Sequence, residues 1–241
     1  MSLAIVYTRA ALGIEAPLIT VEVHLSNGLP GLTMVGLPET TVKEARDRVR
    51  SALINSGYAF PAKKITINLA PADLPKEGGR YDLPIALALL VASEQLNTTR
   101  LNQYEFVGEL ALTGGLRGVP GAIPSAMEAI KAGRRIVVSS DNAAEVGLIG
   151  GSDCLVADHL QEVCAFLAGQ TSLSPPLAEA PTVDERGEDL RDVIGQQQGK
   201  RALEIVAAGG HNLLLIGPPG TGKTMLASRL PGLLPPLSNQ E

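Results

Sequence analysis

The chain has 241 residues, 45% of them apolar and 3% aromatic, with no tryptophan and a net charge of −5. That length allows one or two domains with cores of Val, Ile, Leu and Ala, a composition that suits α/β layers. The acidic balance excludes a global electrostatic case for nucleic acid, so DNA contact requires a local basic patch or a ring that concentrates basic residues.

No window of ~18 uncharged apolar residues marks a membrane span. The opening "MSLAIVYTRAALGIEAPL" lacks the basic segment and long apolar stretch of a leader. A soluble, cytoplasmic chain is expected. The two cysteines, Cys154 and Cys164, stand at C-x9-C spacing. That is not a zinc-site pattern, and small buried thiols in a reducing compartment are the plain reading.

In chain order, "LAIVYTR" and "LITVEVHLS" are predicted strands. The second alternates, with Ile19, Val21, Val23 and Leu25 on one side and Thr20, Glu22, His24 and Ser26 on the other. "NGLPGL" is a turn cluster and "LTMVGLP" a third short strand. "ETTVKEARDRVRSALINSG" is a predicted helix with an apolar stripe of Val42, Ala45, Val49, Ala52 and Leu53. Thr40 or Thr41 supplies its cap, Glu44 completes a capping box with Thr41, and Gly57 stops it. The charges of "KEARDRVR", Lys43 to Arg50, read as a solvated helix face.

"KKITINLAP" is a predicted strand, "ADLPKEGGRYD" a polar loop, and "LPIALALLVASEQL" a helix buried on most sides. Lys76 and Arg80 in that loop, with Lys63 and Lys64 upstream, read either as solvated residues or as a DNA or subunit contact. "YEFVGELALTG" is the next strand and "GAIPSAMEAIKAG" the next helix. Two further strand–helix pairs follow, "RIVVSS" with "NAAEVGLI" and "CLVAD" with "HLQEVCAFLAG". These elements make one α/β domain, residues 1–170. His24, His159 and His211 are scattered and suggest no metal site.

"TSLSPPLAEAPTVDERGED" has no apolar period, so residues 171–190 are expected to be a solvated linker. Helical periodicity resumes at Val193, Ile194, Ala202, Leu203, Ile205 and Val206, and "HNLLLIG" reads as a fully buried strand of a parallel sheet. Residues 191–241 are thus expected to open a second domain.

That domain carries the chain's sharpest motif. Gly217-Pro218-Pro219-Gly220-Thr221-Gly222-Lys223-Thr224 fits G-x4-G-K-[ST] at every fixed position, between an apolar run and the helical "TMLASRL". In such a loop the glycines let backbone N–H groups close round phosphate oxygens, Lys223 neutralises the β- and γ-phosphates of ATP, and the Thr224 hydroxyl holds Mg²⁺. Hydrolysis also needs a carboxylate on the metal, at the end of a later strand. Only seventeen residues follow Thr224, and none forms an apolar run ending in Asp-Glu. The acids of "VDERGED", Val183 to Asp189, precede the loop. The chain is therefore expected to be a fragment cut inside its second domain, lacking hydrolysis by itself.

"DLRDVIGQQQGKRALEIVAAGGHNLLLIGPPGTGKTMLASRLPGLLPPL" resembles the start of the AAA+ module in magnesium-chelatase-like ATPases of the ComM/YifB type. The N-terminal part of that family is matched by "GLPGLTMVGLPETTVKEARDRVRSAL", "INLAPADLPKEGGRYDLPIALALL" and "GELALTGGLRGVPGAIP". The resemblance implies a ribosomal-protein-S5-like, Lon-protease-like α/β domain followed by a truncated P-loop AAA+ domain. It implies that Val193 and Ile194 pack on adenine. It also implies an ATP- and Mg²⁺-dependent, hexameric homo-oligomeric ring that acts on branched or single-stranded DNA as a helicase in branch migration and natural transformation, without a membrane.

Three rival readings stand beside it. One is a chelatase-type ATPase that remodels a protein partner, one a Lon-like protease, and one, for the chain alone, a binding and assembly module. Lon uses a Ser–Lys dyad. Where its serine would follow "PKEGG" this chain reads Arg80-Tyr81-Asp82, and "RGVPGAIPSAM" offers no lysine. Ser125 and Lys131 lie six apart on a predicted helix, away from the family's positions, so no peptidase activity is expected.

Overall fold

The structure is a computed structural model that describes residues 2–36, 44–149, 151–176 and 188–235. It falls into two compact units, Met1–Glu179 and Ala180–Glu241. The first is the α/β domain expected from the sequence. Its strands are β1 (Ser2–Arg9), β2 (Leu18–Ser26), β3 (Gly31–Val35), β4 (Lys64–Ala70), β5 (Tyr104–Phe106), β6 (Glu109–Leu110), β7 (Leu116–Arg117), β8 (Arg135–Ser139) and β9 (Cys154–Ala157). Its helices are α1 (Ala45–Asn55), α2 (Asp82–Ala92), α3 (Ala122–Lys131), α4 (Ala143–Gly147) and α5 (Leu160–Leu167).

Seven strands form one sheet in the order β3-β4-β2-β1-β5-β8-β9, and β6 and β7 make a separate ribbon. β2 runs antiparallel to both neighbours, and the other four pairings are parallel. The alternation of β2 is realised as written, with Ile19, Val21, Val23 and Leu25 buried. Because side chains alternate across a strand, β8 feeds two cores. Val137 joins the main one beside Leu155 and the α5 residues, whereas Ile136 and Val138 face a second one built with Ala122, Ala126 and Ala129 of α3.

α2 buries ten of its eleven residues, since nearly every side is Leu, Ile or Ala. Each Leu or Ile so buried is worth about 1.5–3 kcal/mol in transfer terms. α1 presents Ala45, Val49, Ala52 and Leu53 inward at the expected spacing. Its expected caps, Thr40 and Thr41, and Val42 of its stripe lie outside the described residues; its N-cap is Glu44, which makes no side-chain cap. Cys154 and Cys164 are free, buried, and belong to different cores. No helix among the described residues is long and apolar enough to cross a membrane.

Several sequence expectations need correction. "YEFVGELALTG" is not one strand: β5 ends at Phe106 and β6 begins at Glu109. At the break the backbone changes partners. Val107 N–H still donates to Val137 at 3.0 Å, but Gly108 donates to the Arg80 carbonyl at 3.2 Å and accepts from Leu83 at 3.1 Å. The start of α2 thus captures the chain at Gly108. Part of the stretch read as linker belongs to the first unit, for Leu173 packs on the main core and Ser174 bridges Val156 of β9. Of the acids of "VDERGED", Asp184 and Glu185 lie outside the described residues.

In the second unit a 3-10 turn, Leu190–Asp192, leads into α6 (Gln197–Gly209), and the short α7 (Lys223–Ala227) follows the glycine-rich loop. Its core is small: Val193, Leu203 and Leu226, with Leu190, Leu215, Leu230 and Leu233 partly buried around them. The expected buried strand "HNLLLIG" is absent. Leu213 to Ile216 form no strand, and Leu214 and Ile216 are largely exposed. A strand needs neighbours for its N–H and C=O groups, and no described residue pairs with this run. Val193 and Ile194 lie before α6 rather than within a helical stripe, and Ile194 and Ile205 face solvent.

Candidate functional site

The glycine-rich loop of the second unit brings together the residues singled out from Gly217 to Thr224. Gly220 and Gly222 have φ of 82° and 81°, a left-handed backbone that side-chain-bearing residues resist, so both turns of the loop depend on glycine. Thr221 Oγ1 donates to Pro218 O at 2.9 Å and ties the loop across its base. Lys223 opens α7 and folds back over the loop, donating from Nζ to Gly217 O at 2.9 Å and to Pro218 O at 2.8 Å. Its ammonium thus sits against the backbone it would share with a phosphate chain.

Two contacts fix this loop from below. Gln196 Nε2 donates to Thr221 O at 3.1 Å, which joins the segment before α6 to the loop. Leu226 of α7 is buried against α6, where Gly199 leaves room; a Cβ there would stand 2.7 Å from Leu226 Cδ1. Val193 belongs to the same small core, whereas its neighbour Ile194 is 96% exposed. Of the two residues expected on adenine, one is occupied in packing and the other is free. Thr224 is exposed at the start of α7.

The donor set suits a nucleotide triphosphate with its metal. An ammonium, a threonine hydroxyl and a glycine backbone without Cβ atoms converge on one open loop. Gly217, Pro218, Pro219, Gly220, Thr221 and Gly222 would supply the backbone, Lys223 the charge, and Thr224 a metal ligand. Bound Mg²⁺–ATP would supply the phosphoanhydride whose cleavage releases energy. Among the described residues no carboxylate approaches Lys223 or Thr224 within salt-bridge or hydrogen-bond distance.

The other site raised by the sequence is the dyad position of the first unit. Asp82 stands at the first turn of α2, fully buried, where Lon-like chemistry would need a serine. Its carboxylate accepts from Arg48 Nε at 2.7 Å and Nη2 at 3.1 Å, and from Leu110 N–H at 3.3 Å. Burial pushes this carboxyl up to about 6, against the pull of Arg48. The group is a structural clasp between α1, α2 and β6.

Lys76 and Arg80 overturn both readings given to them. Neither is a solvated residue or a free surface cation, for both are buried, at 0% and 3% exposure. Lys76 Nζ donates to the Pro71 carbonyl. Arg80 donates to the carbonyls of Arg9, at 3.2 Å, and of Pro120. Burial lowers the pKa of both. Backbone carbonyl acceptors made this possible, and they leave no mark in a sequence.

Ser125 and Lys131 do not form a dyad. Ser125 is buried and its Oγ donates to Gly121 O at 2.8 Å, while Lys131 is exposed and pairs with Glu128 at 2.7 Å. We therefore expect no cleavage of casein or fluorogenic peptides, with or without ATP. A serine-directed phosphonate should leave Ser125 unlabelled by mass spectrometry; stoichiometric labelling there would refute this.

Comparison with known proteins places the chain in a class. Residues 21–142 match the family described as Subunit ChlI of Mg-chelatase, and residues 189–241 match Magnesium chelatase, subunit ChlI. The chain belongs to this magnesium-chelatase-like family. Over its whole length it is 77% identical to Uncharacterized protein YifB of Salmonella typhimurium and 58% identical to Competence protein ComM of Haemophilus influenzae. At 42% identity it also matches Uncharacterized protein Rv2897c of Mycobacterium tuberculosis. It spans about half the length, 48%, of each of these relatives.

Proposed function

We propose that the chain is the nucleotide-binding front part of an AAA+ ATPase that works as a homo-oligomeric, hexameric ring on DNA. The loop at Gly217–Thr224 carries this reading: two left-handed glycines, and a lysine amine within 2.9 Å of the loop carbonyls. The identity with a protein named for competence supports DNA as the substrate, through helicase-type branch migration during transformation. Lys223 would hold the β- and γ-phosphates, Thr224 the Mg²⁺, and Ile194, the exposed member of its pair, would meet the adenine.

A second reading has its own support, because residues 189–241 match a magnesium chelatase subunit. On that reading the same loop drives remodelling of a protein partner. The deciding measurement is ATP turnover by the protein at its relatives' full length, with and without branched DNA. Stimulation by branched DNA is the expected result. Turnover indifferent to every DNA form would remove the DNA motor and favour the chelatase-type reading.

A further inference from the structure

The first unit's surface gathers cations in one place, with no acid paired to them among the described residues. Arg46 and Arg50, one turn apart on α1, line a cleft with Lys63, Leu32 and Phe60. Its volume is about 200 Å³, and it is open to solvent. Among the described residues no carboxylate pairs with Arg46, Arg50 or Lys63. Arg46 and Arg50 are exposed, whereas Arg48, between them on the same helix, is half-buried and holds Asp82.

A chain of net charge −5 has acids to spare, so this patch is set against its own composition. Like charges held together raise the local potential and are relieved by a polyanion. The cleft also has an aromatic wall. Arg50 lies over the half-buried Phe60 ring, 5.3 Å from its centroid. A planar guanidinium on a ring, beside two further cations, offers a stacking face and phosphate partners together. An acidic peptide would satisfy the charges but brings no planar base to lie against the Arg50–Phe60 pair.

We propose that this cleft of the first unit binds single-stranded DNA, with Arg46, Arg50 and Lys63 on the phosphates and a base stacked at Phe60. This rests on the DNA-directed reading above and gives it a surface. It is tested without ATP or Mg²⁺, so the two can fail separately.

The probe is a fluorescein-labelled oligothymidylate of about 16 nucleotides, titrated with the 241-residue chain across a salt series and read by anisotropy. Each cation–phosphate contact on a single strand contributes about 0.7 to the slope of log affinity against log salt. The combined Arg46→Gln, Arg50→Gln, Lys63→Gln variant should therefore lower that slope by about 2. Phe60→Leu keeps apolar volume, and should weaken binding about tenfold while leaving the slope intact; Phe60→Trp should bind as wild type. Circular dichroism melting of each variant reports whether it is folded, and the Phe60 pair remains decisive if the charge variant is not. No binding by the wild type, or equal affinity for wild type and Phe60→Leu, overturns the proposal. So does displacement by polyglutamate as efficient as by unlabelled DNA of equal charge, which would mark the cleft as a site for an acidic protein.

Discussion

Lys223→Ala should reduce ATP turnover about a hundredfold or more in the protein at its relatives' full length, with no change in the melting of the first unit. The size follows from electrostatics. The Lys223 ammonium is the single side-chain cation of the loop, and charge that develops on the β- and γ-phosphates has no other fixed positive partner among the loop's residues. The specificity follows from exposure. Lys223 donates to the carbonyls of Gly217 and Pro218, and both residues face solvent. Removing the amine leaves those carbonyls to water rather than buried and unpaired, so the structural cost is small. Turnover is measured by phosphate release with and without branched DNA, next to a thermal melt. A variant that retains turnover within about threefold would show that the loop is not where ATP is committed to hydrolysis.

The largest expected effect on stability lies elsewhere. Glu105 on β5 is fully buried and accepts from Arg9 twice, at 2.6 Å and 2.8 Å, and from Arg134 at 3.0 Å. Arg9 also donates to Ala16 O at 3.1 Å and Glu128 O at 3.0 Å, and Arg134 stacks over the Tyr7 ring, 4.5 Å from its centroid. The cluster clamps β1, β5 and the start of β8. Glu105→Ala leaves Arg9 as an uncompensated charge at 5% exposure, and should destabilise the first unit by about 3–5 kcal/mol in urea titrations. Replacing the clamp by apolar residues, as Arg9→Met with Glu105→Leu, should recover much of that loss, because no fully buried charge is then left unpaired and Arg134, which is partly exposed, can turn to solvent. If the single and double variants are equally destabilised, shape rather than charge governs the site.

Which features the sequence made legible depends on how local their causes are. The alternation of β2, the stripe of α1 from Ala45 to Leu53 and the apolar circumference of α2 are properties of contiguous residues, and all three are realised. The loop at Gly217 to Thr224 was legible for the same reason, since its geometry needs glycine at fixed places. The Arg9–Glu105 clamp spans 96 positions, and neither residue stands out in its own stretch. Lys76 and Arg80 looked like solvent residues because their partners are backbone carbonyls, which every residue has. "LLLIG" looked like a strand because its side chains favour one, but a strand is a relation between segments, and no described residue takes the other part. The cleft at Phe60 draws on α1, β3 and the approach to β4, and becomes visible only when these are assembled.

The two edges of the seven-stranded sheet differ in a way that bears on how copies of the chain meet one another. At the β9 edge Ser174 covers the strand. At the other, β3 has no further partner among the described residues, and an uncovered strand is a template for pairing with a second chain. Beside it stand Pro30, Arg46 and Lys63, the kinds of residue that blunt such an edge by denying a hydrogen bond or by repelling an identical neighbour. Positive charge at this edge should therefore also oppose edge-to-edge strand pairing between copies, most in dilute salt and least wherever a polyanion neutralises it.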